Sequence, residues 1–184
     1  LAWQRQQPGL QPAERANLSK KWEPSSVQKL SERLCGKWQG EVKTWFEPGV
    51  LADTSTIAGE YSWALEGKIL RHQYRSEING RPRSGEELLA FNEISQKWEL
   101  VWFDTFHMNY GLLNSTGDST ASGFSVTGNY AVGPGMPDWG WRTEYRLATD
   151  DQLIIQAFNQ MPEGEEALAI EVTYRRVPAS PATS

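Results

Sequence analysis

Residues 36–177 alternate apolar and polar positions with a period of two, in short segments parted by turn-forming residues. The pattern constrains the fold severely, because parallel strands would need crossover links of a dozen or more residues. Segment 139–148 shows it most clearly: Trp139, Trp141, Thr143, Tyr145 and Leu147 fall on one face, Gly140, Arg142, Glu144 and Arg146 on the other. The same alternation predicts strands over 36–46, 57–65, 68–78, 86–92, 97–105, 108–114, 124–131, 152–160 and 167–177, with Asn79-Gly80 as a tight turn. About ten sequential strands with hairpin-length links form an all-β, up-and-down antiparallel barrel. A two-sheet sandwich is the rival arrangement.

The β pattern is preceded by one helix. Ser25 is placed to cap it, Val27, Leu30 and Leu34 share its apolar face, and Gly36 can end it. Residues 1–24 read as an extended or partly helical arm, 25–177 as one barrel domain, and 178–184 as a disordered tail. Cys35, the only cysteine, excludes an intrachain disulfide and a cysteine-based zinc site, and reads as a small buried thiol.

A net charge of -5 offers no footprint for nucleic acid, and no apolar run approaches the roughly 20 residues of a membrane-spanning helix. No nucleic-acid partner and no membrane insertion are therefore expected. Pairing of two copies stays open. So does the compartment, cytoplasmic or exported after removal of an upstream segment.

The order of motifs carries a resemblance. Leu34-Cys35-Gly36-Lys37-Trp38 is followed by Leu65-Glu66-Gly67-Lys68-Ile69-Leu70 with Tyr74, then Gly80, Gly85, Phe91-Asn92, Trp102-Phe103-Asp104, Gly111 and Tyr174-Arg175-Arg176. Over roughly 24–177 the chain resembles a bacterial lipocalin-like family catalogued as a domain of unknown function. The resemblance implies a calycin-type barrel with a short helix near its mouth, and it transfers no activity. Nitrobindin-like haem barrels are distant shape relatives that bind iron through a histidine near the last strand. Segment 167–177 has no histidine, so neither haem nor any other cofactor is expected. Fatty-acid-binding proteins, another shape relative, use paired arginines on late strands, where this chain has Arg142, Arg146, Arg175 and Arg176.

Candidate site residues follow from the inward faces. Leu70, His72, Tyr74 and Ile78 share one face of 68–78, and Trp98, Leu100, Trp102 and Asp104 share one face of 97–105. An acid on an apolar face needs a partner or a ligand. With one strand between them in sequence, His72 and Asp104 are the first expected pair and the candidate catalytic residues. A carboxylate beside an imidazole favours its protonated form and can orient it as a general base, or the two can simply fix strand register. Glu87 can face inward and His107 belongs at the rim. Tyr74, Trp98, Trp102, Trp141 and Tyr145 complete an aromatic wall that suits either a pocket or a core. With two histidines, a metal centre is not expected.

Three functions fit this pattern. The leading one is binding of a small hydrophobic or aromatic molecule inside the barrel. The second is a cofactor-independent lyase, isomerase or cyclase that uses the His/Asp pair for proton transfer. In the third the barrel is filled by its own side chains and its outer face mediates association.

Overall fold

The computed structural model describes residues 26–107 and 111–178. The expected arm at 1–24 and all but one residue of the expected tail lie outside them. One helix, α1 (Ser26–Leu34), leads into ten strands: β1 (Gly36–Glu47), β2 (Val50–Ala64), β3 (Ile69–Ile78), β4 (Arg81–Asn92), β5 (Lys97–Asp104), β6 (Leu113–Ser119), β7 (Gly123–Tyr130), β8 (Trp139–Thr149), β9 (Gln152–Gln160) and β10 (Glu166–Arg176). Each strand pairs antiparallel with its sequence neighbours, and β10 closes on β1 with Val42 opposite Val172. The sheet is a closed up-and-down barrel and has no free edge. No described helix is long and apolar enough to cross a membrane.

Inward faces follow the alternation. Leu70, His72, Tyr74 and Ile78 of β3 are buried, as are Trp98, Leu100, Trp102 and Asp104 of β5 and Trp141, Thr143, Tyr145 and Leu147 of β8. Three strands differ from expectation by more than two residues at a boundary. β2 starts at Val50, directly after the Pro48-Gly49 turn that sets Glu47 opposite Val50. β4 starts at Arg81, because Pro82 precedes the point where β4 gains β5 as a neighbour, Gly85 opposite Asp104, and a missing N–H is tolerated there. β6 runs Leu113–Ser119, not 108–114, of which 108–110 fall outside the described residues. Its Ser-Thr-Gly-Asp run imitates a turn, but Gly117 is there for close approach, since a Cβ would lie 1.9 Å from the Ser125 carbonyl oxygen.

The two ends of the barrel are built differently. At the end where β1 begins, α1 lays Leu34 on the core, and Trp38 Nε1 donates to the Leu34 carbonyl at 2.8 Å. Arg176 donates to the carbonyls of Cys35 and Arg33, satisfying groups a helix C-terminus leaves orphaned, and its guanidinium lies 4.2 Å from the Trp38 ring centroid. Burial and the Glu32 charge push the Cys35 thiol up, against the nearby Arg176. Behind the helix Trp98 stacks on Phe124 at 4.2 Å and Phe124 on Tyr145 at 4.4 Å, forming a solid plug. The helix therefore covers a filled end. The mouth, at the far end of β1, is elsewhere, which corrects the expectation of a helix beside it.

Candidate functional site

Between the plug and the open end lies a buried polar cluster. His72 on β3 and Glu87 on β4 are direct cross-strand partners, and His72 Nδ1 is 2.7 Å from Glu87 Oε2. A carboxylate only accepts, so Nδ1–H donates to Glu87, while the Tyr145 hydroxyl donates to the other oxygen at 2.6 Å. The hydroxyl of Tyr174 is 3.3 Å from His72 Nε2, and the Tyr61 ring stacks on the imidazole at 4.0 Å. Gly59 makes room: a Cβ there would sit 2.5 Å from the Tyr174 hydroxyl and 2.7 Å from His72 Nε2. Burial, first, and the Glu87 charge, second, push the phenols of Tyr61, Tyr145 and Tyr174 well above their ordinary value.

His72 and Asp104 do not form the expected pair. Opposed residues on neighbouring antiparallel strands have Cβ atoms about 5 Å apart, and a second strand adds nearly 5 Å more. His72 therefore meets Glu87, one strand away, before it can reach Asp104. Opposite Asp104 on β4 is Gly85, which has nothing to offer, and the carboxylate turns to the loop that follows it. It accepts from the backbone N–H of Phe106 at 3.0 Å, the N–H of His107 at 2.6 Å and His107 Nδ1 at 2.7 Å. The Tyr74 hydroxyl donates to it at 3.4 Å and accepts from Trp102 Nε1 at 2.9 Å. Burial pushes the Asp104 carboxyl up, but the hydrogen bonds and charge of His107 and the backbone N–H groups outweigh it and hold the carboxyl below its ordinary value.

The empty space is divided in two. A cleft of about 570 Å³ opens at the end away from the helix, walled by Trp45, Phe46, Trp102, Tyr130 and Trp141, with His107 at its edge. Thr44 Oγ1 is buried on this wall without a hydrogen-bond partner. Deeper lies a void of about 50 Å³, bounded by His72, Tyr74, Arg83, Glu87 and Tyr174. Trp102, Leu113, Trp141 and Ile170 line both spaces and form the partition, with the two indoles stacked at 5.5 Å. Another hollow, about 650 Å³, crosses the outer wall of β1–β5 among exposed side chains such as Lys37, Glu60 and Gln73, where a ligand would gain little desolvation.

Of the sequence candidates, Trp102, His107 and Trp141 line the cleft, and His72, Tyr74 and Glu87 line the void. Asp104 holds His107 from beneath. Trp98 and Tyr145 belong to the plug, Tyr145 also securing Glu87, so the expected aromatic wall is split between two regions. Arg142, Arg146, Arg175 and Arg176 are not among the buried residues; among the described residues the buried arginine is Arg83 on β4. Sequence reasoning missed it by starting β4 at Glu86. Extending the alternation of Glu87 and Leu89 back through Gly85 would have found it.

A family model described as a protein of unknown function, DUF1579, matches residues 23–176. The chain belongs to the DUF1579 family. Two solved structures share its fold. Rv2717c from M. tuberculosis is 12% identical, with a TM-score of 0.59 over 85% of this chain and 100% of that one. The S-type phycobiliprotein lyase CPES from Guillardia theta is also 12% identical, with a TM-score of 0.52 over 84% of this chain and 94% of that one. At such identity the likeness concerns the barrel, not its contents. No curated protein matches the chain significantly.

Proposed function

We propose that this DUF1579 protein binds a small, largely apolar or aromatic molecule in the open-end cleft. The observation that carries the reading is the cleft itself: about 570 Å³ walled by aromatic side chains, within the usual range of roughly 300–1,000 Å³ for small-molecule sites. The interior proper is too full for a ligand body, since about 50 Å³ admits a few waters or one small polar group. The body therefore lies among Trp102, Trp141 and Tyr130 and reaches the void only through the indole partition. The S-type phycobiliprotein lyase, on a similar barrel, is consistent with a small-molecule role without identifying one.

Titration with the neutral fluorescent probe N-phenyl-1-naphthylamine tests this. Saturable binding that Trp141→Ala weakens about tenfold or more supports the site. Absence of saturable binding, or equal binding to the variant, overturns it.

One observation favours a second reading, a cofactor-independent lyase, isomerase or cyclase. His107 lines the cleft with Nδ1 fixed on Asp104, which leaves Nε2 to exchange a proton with a bound molecule. In this reading His107 is the proton carrier and Asp104 its positioning residue. His72, buried and held at both nitrogens, organises the wall. Turnover lost in His107→Gln with affinity retained would support catalysis.

A further inference from the structure

Arg83 is 4% exposed, yet its Nε and Nη1 are buried without a hydrogen-bond partner. A guanidinium is always charged, and burying it with its hydrogen bonds unmade is costly. Its guanidinium lies over the Tyr74 ring, 5.6 Å from Cζ to centroid, which supplies electrostatic attraction but no strong acceptor for an N–H. The two buried carboxylates are already engaged. Glu87 accepts from His72 on one oxygen and from Tyr145 on the other, and Asp104 accepts from His107, Tyr74 and the backbone after it. Among the described residues neither forms an ion pair with Arg83.

Arg83 borders the 50 Å³ void, and the partition of that void faces the cleft. We infer that Arg83 anchors a carboxylate carried by the molecule whose apolar body fills the cleft. This rests on the cleft being a binding site and adds the chemical class of its ligand: an amphiphilic monoacid that enters acid first. The planar guanidinium presents donors in a fork that matches two carboxylate oxygens. The size of the void and a single cation both fit a carboxylate better than a phosphate, which needs more donors and more room. Charge also sets the order of events: the acid must pass Trp102 and Trp141, so these indoles move when it binds and report on it.

The test uses paired probes on the full chain, ω-phenylalkanoic acids of four to ten chain carbons and the ω-phenyl alcohols of equal length, followed by tryptophan fluorescence. The acids are expected to bind at least tenfold tighter than the alcohols. Arg83→Met, which keeps length and removes charge, should erase that preference and leave alcohol binding intact. Equal binding of acids and alcohols to the unaltered protein, as when water alone fills the void, overturns the anchor while the cleft stands. An acid preference that survives Arg83→Met in a variant shown to be folded by its thermal transition overturns it as well. Should neither series bind, both the anchor and the cleft reading fall. If Arg83→Met does not fold, Arg83→Lys takes its place: it keeps the charge but not the bidentate fork, so the acid preference should fall several-fold, and an unchanged preference overturns the anchor.

Discussion

The two ends of this barrel pack aromatic rings in opposite ways. At the helix end Trp98, Phe124 and Tyr145 stack with near-parallel rings 4.2–4.4 Å apart and are shut from solvent. At the open end Trp102 and Trp141 stack at 5.5 Å and border empty space on both sides. The difference lies in what covers them. Among the described residues the plug has α1, Trp38 and Arg176 over it, whereas the open end is bordered by loops, with Phe46 against Phe106 at 6.1 Å and Leu112 exposed. An aromatic residue packed on all sides contributes stability, and one with a vacant side is available for a ligand.

The sharpest way to break this comparison is to truncate one ring at each end. Phe124→Ala should cost about 3–5 kcal/mol in urea unfolding, as a cavity opens in a plug that cannot collapse. Trp141→Ala should cost clearly less, because its ring already borders a void, and should instead weaken probe binding about tenfold or more. Equal losses of stability would mean that the ends are not different in kind.

A smaller effect is expected from Glu87→Ala. Removing the carboxylate leaves the Tyr145 hydroxyl and His72 Nδ1 buried without their acceptor, at about 1–3 kcal/mol. The double variant with Tyr145→Phe should lose less than the two single losses added together.

pH separates the regions further. The Asp104 carboxyl is lowered in the folded protein. Its share of stability is thus fully present above the ordinary carboxylate value and lost as pH falls through the lowered folded value. Asp104→Asn should reduce stability at neutral pH and flatten the acid limb of the unfolding midpoint plotted against pH. The smallest change is expected on the outer wall, where the exposed Lys97–Asp118 pair at 2.7 Å should be worth within about 0.5 kcal/mol on Lys97→Gln.

The fold was legible wherever alternation was uninterrupted. β5 and β8 show their inward sets in the sequence because each inward apolar residue is followed by a polar or smaller one. Where turn-like composition overlay the pattern, it misled: Arg81-Pro82-Arg83-Ser84-Gly85 and Ser115-Thr116-Gly117-Asp118 are strand, their Pro and Gly placed by a missing neighbour and by a close backbone approach. The candidate site was half legible. That His72, Glu87, Asp104 and Trp102 face inward follows from period two. Which of them meet depends on register, and a shift of one strand changes every partner.

The sequence by itself determined an all-β antiparallel fold, the facing of the uninterrupted strands and the presence of acids and a histidine on an apolar face, since a two-residue period fixes facing without knowledge of neighbours. Only the tertiary structure decided that His72 belongs to Glu87 and Asp104 to His107, that one end is plugged and the other open, and that the inward-facing Arg83 leaves hydrogen bonds unmade. Pairing, closure and the satisfaction of hydrogen bonds are properties of strands brought together from distant parts of the chain, and no local pattern encodes them.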